Sequence, residues 1–330
     1  MKYHNIIAFL FIVNLSIISH AANNSFEIKG NIYGTVYKII IEKSNFKNKE
    51  KIINEINSIL NRINAIASNY DENSELYRFN KNKSENFINV SKELYEIIEK
   101  SFYINQITNG YFDISLNTLK KEYGFYNLEN TSKDQIDSQK NITITDLKVK
   151  IILHDTNLQI KKFSSNTELD LSGIAKGYAV DQLYETLKKY SASFLINIGG
   201  EIRVHGNIRW HIRIDDPSSK NNYSKIISLK NMSIASSGRY KNFIKKNNKE
   251  ISHIFNPKTN KPKKKKNLII SVIHKDCSTA DALATALSAM EESDIIEFAN
   301  NNDIAVIYTN YEKNKIISKE SELFKKYIKE

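Results

Sequence analysis

Residues 168–201 read ELDLSGIAKGYAVDQLYETLKKYSASFLINIGGE. Gly173 and Gly177 stand at the head of a run that keeps helical character to about Tyr190. Phe194-Leu-Ile-Asn-Ile198 then follows as a buried strand closed by Gly199-Gly200. An unbroken apolar run of that length suits a strand covered by other elements. Glycines ahead of a helix let the backbone approach a ligand closely, and the free N–H groups of the first turn attract anions such as phosphate. Neither a Gly-x-Gly-x-x-Gly nor a Walker loop is present, and the flanking elements do not alternate regularly. A Rossmann or P-loop nucleotide site is therefore disfavoured, and the chain reads as α+β.

On the N-terminal side, the β-branched and aromatic density from Phe26 to Glu42 predicts strand, with Gly30 and Gly34 breaking it. Residues 48–66 predict a helix, with Ile52, Ile53, Ile56, Ile59, Leu60 and Ile63 on one face. A polar loop over 67–74 carries Tyr70, and a second helix over 91–107 starts at the cap Ser91 and stops at Asn109-Gly110. Residues 131–147 are polar and read as a loop or insertion. On the C-terminal side Ile208, Trp210, Ile212 and Ile214 alternate as a half-exposed strand. Further strands are expected over 268–273 and 304–308, and helices over 278–290 and 294–300. There is no internal repeat and no heptad.

The chain has 330 residues, 41% hydrophobic and 26% charged, which is an ordinary globular balance. Its net charge of +11 spreads over predicted helices and loops alike, together with abundant asparagine, so it reads as a genome bias rather than a binding stripe. The one cluster, Lys261 with Lys263 to Lys266, has no interleaved aromatics for base stacking and reads as a solvated loop. No nucleic-acid partner is expected. Lys2, the apolar stretch Ile6–Ile18 and Ser19-His20-Ala21 have the form of a secretory signal peptide over residues 1–21. One domain over 22–330 would follow, exported to the periplasm, with an uncleaved anchor in the inner membrane as the alternative. Cys277 is the only cysteine, so no intrachain disulfide can form.

Chemistry concentrates between His253 and Thr285. Asp281 and Thr285 lie four apart in an Ala/Leu-rich run, so a helix stacks their oxygens on one face. Two hard oxygens suit magnesium, which keeps several waters and takes few protein carboxylates. A plain helix start explains the same pair, with Asp281 in the first turn and Thr285 back-bonding. His253, read without context, fits a satisfied structural histidine better than a base.

Several blocks in order then resemble one family, the ApbE family of FAD:protein FMN transferases. They are Tyr33-Gly-Thr35, Ser68-Asn-Tyr70, Ser74-Glu-Leu-Tyr-Arg-Phe-Asn80, Gly110-Tyr-Phe-Asp113 and Asp170 to Asp181. Ile196-Asn-Ile-Gly-Gly-Glu201, Ser236 to Tyr240, Ser252-His-Ile-Phe-Asn-Pro257 and Ser278 to Thr285 complete them. The resemblance implies largely antiparallel sheets with packed helices in two lobes around an FAD cleft. It implies that Tyr33, Tyr70, Tyr111, Phe112, Asp113, Asp170, Lys176 and Phe255 line the FAD site. It further implies magnesium on Asp281 and Thr285, helped by backbone carbonyls near Gly173 and Ala284, where some relatives carry an acid. His253 would be the base that deprotonates an acceptor threonine. Asp113 and Asp170 would accept hydrogen bonds from the flavin dinucleotide or from neighbouring backbone groups, and Lys176 would answer the diphosphate. The implied acceptors are membrane redox subunits presenting Asp-Gly-x-Thr-like segments outside the cytoplasm. Asn260 stands where the family commonly has glycine, and asparagine tolerates a left-handed turn. Arg239 reads as a surface partner of acids. Two other readings stay open at this point: a magnesium-dependent FAD pyrophosphatase, with water as nucleophile, and a non-catalytic exported FAD-binding protein.

Overall fold

In a computed structural model, the structure describes residues 17–18, 25–42, 48–125, 150–217, 223–238, 243–246, 249–264, 267–313 and 315–329. The expected leader over 1–21 lies outside them except for Ile17–Ile18, whose backbone pairs with His211 and Ile212. The insertion over 131–147, Arg239, Lys265 and Lys266 also lie outside them.

The frame is one eight-stranded antiparallel sheet. Its strands are β1 (Ser25–Ile32), β2 (Thr35–Glu42), β3 (Phe194–Ile198), β4 (Glu201–His205), β5 (Ser233–Gly238), β6 (Leu268–His274), β7 (Ala305–Glu312) and β8 (Lys315–Glu320). Their spatial order equals their chain order, so the sheet is a meander interrupted by excursions. The long excursion over 43–193 carries α1 (Lys49–Ala67), α2 (Glu75–Lys81), α3 (Lys92–Ile107), α4 (Asn117–Tyr123) and α5 (Ala175–Leu187). The excursion between β5 and β6 forms a three-stranded sheet of Phe243–Lys246, Lys249–Asn256 and Lys261–Lys264. Between β6 and β7 lie α6 (Cys277–Ala289) and α7 (Ile295–Asn301), and α8 (Glu322–Lys325) follows β8. Among the described residues, no helix is long and apolar enough to cross a membrane.

Both faces of the sheet are covered, which is why β3 reads as five consecutive buried residues. On one face Ile39, Ile41, Phe194, Ile196, Ile270 and Val272 pack with α1, α3, α5 and α6 into the main core. On the other, Ile40, Leu195, Ile202 and Ile307 meet the hairpin of Trp210–Asp215 and Tyr223–Leu229. The alternation of Trp210, Ile212 and Ile214 is thus the inner face of a hairpin that shields the sheet.

Local chemistry sets the element ends. α1 buries Ile52, Ile56, Ile59, Leu60 and Ile63 as their spacing predicts. Ser91 caps α3 by accepting the Leu94 N–H at 3.2 Å. Asn109 and Gly110 end it with positive φ values of 50° and 82°. Tyr33 and Gly34 turn the β1–β2 hairpin with φ of 52° and 69°, the geometry of a tight two-residue turn that matches strand twist. Gly30, in contrast, does not break its strand. It pairs with Tyr37 in register, and a Cβ there would sit 2.5 Å from the Tyr37 ring, so glycine makes room for the cross-strand aromatic.

Candidate active site

The sheet, the long excursion and the excursion that carries His253 enclose a cavity of about 1060 Å³. Two helices build its floor, and each caps the other. Ile174 and Asp276, at the N-termini of α5 and α6, make no capping bond with their own side chains. Asp181 of α5 instead accepts the Cys277 N–H at 2.8 Å and the Ser278 N–H at 2.9 Å. Asp281 of α6 accepts the Gly177 N–H, in the first turn of α5, at 3.1 Å. The exchange satisfies donors that helix starts leave open, and it registers α5 against α6. Gly177 permits the close approach, since a Cβ there would lie 2.5 Å from the Cys277 carbonyl oxygen and 2.6 Å from Ser278 Cα. Asp281 is therefore beyond the first turn of its helix, and a carboxylate from another element takes the first-turn role there.

Within α6, Thr285 is the one residue not buried, and it faces the cavity with Asp281. Gly173 brings its backbone against this hydroxyl. A Cβ on Gly173 would stand 3.0 Å from Thr285 Oγ1 and 3.3 Å from the Phe112 ring. Asp281, Thr285 and Gly173 thus line the same part of the cavity. Ala284 is fully buried and its carbonyl accepts the Ser288 hydroxyl at 2.8 Å. Among the described residues no group of three His, Cys, Asp or Glu side chains could hold a metal. One carboxylate, one hydroxyl and a nearby backbone form a hard, oxygen-only set with room for waters, which fits magnesium and not zinc or a softer ion. Burial, with Glu201 and Asp181 nearby, pushes the Asp281 carboxyl up to about 7 against the opposing pull of Lys176. A bound cation would supply the charge that site lacks.

Lys176, on the first turn of α5, lies beside them and is ion-paired with Glu201. Burial works to lower its pKa, but Glu201 and then Asp281 outweigh it and hold the ammonium above its ordinary range. Glu201 carries no role in the expectations drawn from the sequence. Its signal was the Gly199-Gly200-Glu201 end of the buried strand, where an acid follows a glycine turn with φ of 66° and 113°.

His253 reaches the cavity from the strand Lys249–Asn256. Pairing with Lys261–Lys264 shifts register between Ile251 and Phe255, and His253 sits inside that irregularity. Such irregularities re-aim side chains next to sites. Asn260 turns the hairpin with φ 53°, so asparagine does hold a left-handed position.

The remaining predicted residues all line the cavity. Tyr33 anchors its hydroxyl on the Leu60 carbonyl at 2.8 Å, and burial raises that phenol. Tyr70 is 61% exposed at the rim. Tyr111 carries Lys258 4.3 Å above its ring. Phe112 and Phe255 are buried, and Phe255 meets Tyr123 and Phe125 edge-on at 5.1 and 6.0 Å. Asp113 and Asp170 bind protein groups. Asp113 takes Lys150 at 2.7 Å and the Ser115 N–H at 2.8 Å. Asp170 takes Lys120, together with Asn69 and the Ser172 N–H at 2.8 Å each.

The ApbE family model matches residues 33–308. The FAD:protein FMN transferase of Haemophilus influenzae is 32% identical over 312 residues, covering 91% of this chain and 90% of that protein. The FAD:protein FMN transferase of Vibrio cholerae is 30% identical over 289 residues, covering 85% and 86%. The solved flavin transferase ApbE from Vibrio cholerae superposes with a TM-score of 0.78 at 27% identity, over 92% of this chain and 99% of that one.

Proposed function

The chain belongs to the ApbE family, and from that premise we propose that it is an FAD:protein FMN transferase, a magnesium-dependent enzyme acting on a threonine of a second protein. One observation carries the reading: Asp281, Thr285 and Gly173 converge in the same cavity as His253, Lys176 and a set of aromatic faces. A dinucleotide needs that combination of volume, flat apolar surface and charge. Tyr70, Tyr111, Phe112 and Phe255 offer faces to the flavin and adenine rings. Lys176 meets the diphosphate. His253 accepts the proton of the threonine hydroxyl, whose oxygen bonds to the FMN phosphorus as the bond to AMP breaks. AMP departs with the bridging oxygen. Asp281, Thr285 and the Gly173 backbone would hold the magnesium, which would supply neutralisation of diphosphate charge. Asp113 and Asp170 act one step back, fixing the loops that shape the cleft.

The acceptors are redox subunits of the inner membrane carrying Asp-Gly-x-Thr-like segments. The leader-shaped start at residues 1–21 supports work in the periplasm, at the outer face of that membrane. Incubation with FAD, magnesium and such an acceptor peptide should give a covalent FMN adduct by mass measurement. FMN and AMP accumulating equally without acceptor would make the protein a pyrophosphatase. Tight FAD binding with no turnover would make it a carrier.

A further inference from the structure

A divalent cation held at Asp281 would share its pocket with the Lys176 ammonium group. Lys176 and Asp281 line the same cavity, and Gly177, the residue after Lys176, gives its N–H to the Asp281 carboxylate at 3.1 Å. An unscreened lysine there opposes metal binding, yet the same lysine favours the diphosphate. Glu201 resolves the conflict. Its carboxylate is 1% exposed, one oxygen takes the Lys176 ammonium, and the other has no hydrogen-bond partner among the described residues. A buried carboxylate whose only partner is one lysine is strongly destabilised when that lysine leaves, so the pair stays together. The backbone sets both ends: Glu201 opens β4 straight after the Gly199-Gly200 turn, and Lys176 is the second residue of α5.

Building on the transferase reading above, we propose that Glu201 is a positioning residue that pins Lys176 and cancels its charge toward Asp281, so that magnesium and a phosphate-facing lysine occupy one pocket. Glu201→Gln keeps the size and one acceptor while deleting the charge. Manganese alone, titrated into the full chain and followed by the paramagnetic resonance of the free ion, reads the site without turnover; calorimetry with magnesium alone repeats it. Glu201→Gln should weaken metal binding about tenfold or more, as expected for an uncompensated unit charge a few ångströms away. Glu201→Gln combined with Lys176→Met should return affinity to within a few fold of wild type, which a merely structural role of Glu201 would not do. Lys176→Met by itself should bind metal more tightly, and this arm decides the matter if Glu201→Gln does not fold. Wild-type affinity in Glu201→Gln, or a double variant as weak as that single one, overturns the proposal. Metal binding lost in Asp281→Asn but intact in Glu201→Gln removes this proposal and leaves the metal reading standing. A wild-type chain that takes up neither ion removes both.

Discussion

Asp170 and Asp113 line the cavity but turn their carboxylates toward the protein. The sequence made both visible as acids in family blocks; it could not show that Lys120 and Lys150 would reach them from elsewhere. For Asp170 the consequence is measurable. Burial raises its pKa, but the Lys120 ammonium and the Ser172 N–H outweigh that and lower the carboxyl from 3.8 to about 2. A depressed carboxyl contributes stability that is present above pH 3.8 and lost as pH falls through about 2. The contribution is roughly 2 kcal/mol. Denaturant midpoints followed from pH 5 down to 2 should therefore fall more steeply in the wild type than in Asp170→Asn (~1.4 kcal/mol per unit shift); parallel curves would deny the ion pair that role. His253 is the other residue-scale test. His253→Ala should retain FAD affinity and lose transfer by about 10²-fold or more, and an equal loss of FAD affinity would make it a binding residue.

At the scale of elements, the long helices were legible because their apolar spacing and caps lie within the helix itself. Of the short ones, α7 was read over 294–300, but α2, α4 and α8 were not. α2 has Ser74 as its N-cap, accepting the Tyr77 N–H at 3.0 Å. Its far end is closed by Lys162, a fully buried lysine whose ammonium donates to the Phe79 and Asn82 carbonyls. That cap comes from the last residue of the strand Gln159–Lys162, far along the chain, and no local pattern announces it. The reciprocal capping of α5 and α6 was hidden for the same reason, although both acids stood in quoted blocks. Gly177→Ala tests the contact between these helices. A methyl group there must push the α6 backbone away, at a cost of about 1–3 kcal/mol, and should weaken metal binding through Asp281 while FAD's aromatic contacts remain. Unchanged stability and metal affinity would show that α6 can shift without consequence.

Across the whole molecule, the α+β class and five of the eight strands of the main sheet were readable, but β4, β5 and β8 and the order of the sheet were not. Neighbours β2 and β3 are separated by residues 43–193, and periodicity carries no information about partners at that distance. The site depends on that arrangement, since its walls come from excursions that only the sheet brings together. Chelation of magnesium should accordingly stop transfer while leaving the far-ultraviolet circular dichroism unchanged. Restoring magnesium together with FAD should raise the melting temperature more than either does separately, each ligand at a hundredfold excess over its dissociation constant adding about 2.7 kcal/mol of stability. A collapse of the spectrum on chelation would instead make the metal structural.

The meander also imposes a timetable. Strands β3 to β8 follow one another over residues 194–320 with modest connections, whereas joining β2 to β3 must first close the loop over 43–193. Closing a long loop is entropically slow, and pairings distant in sequence pay that entropy before contacts return it. The C-terminal strands should gain amide protection early in pulse-labelled hydrogen exchange. The seam between Tyr37–Ile41 and Phe194–Ile198 should gain it last. Early protection at that seam would contradict the order. The catalytic pocket, which straddles the seam, would then be among the last features of the molecule to exist: a newly made chain would be unable to capture flavin until nearly all of it had folded.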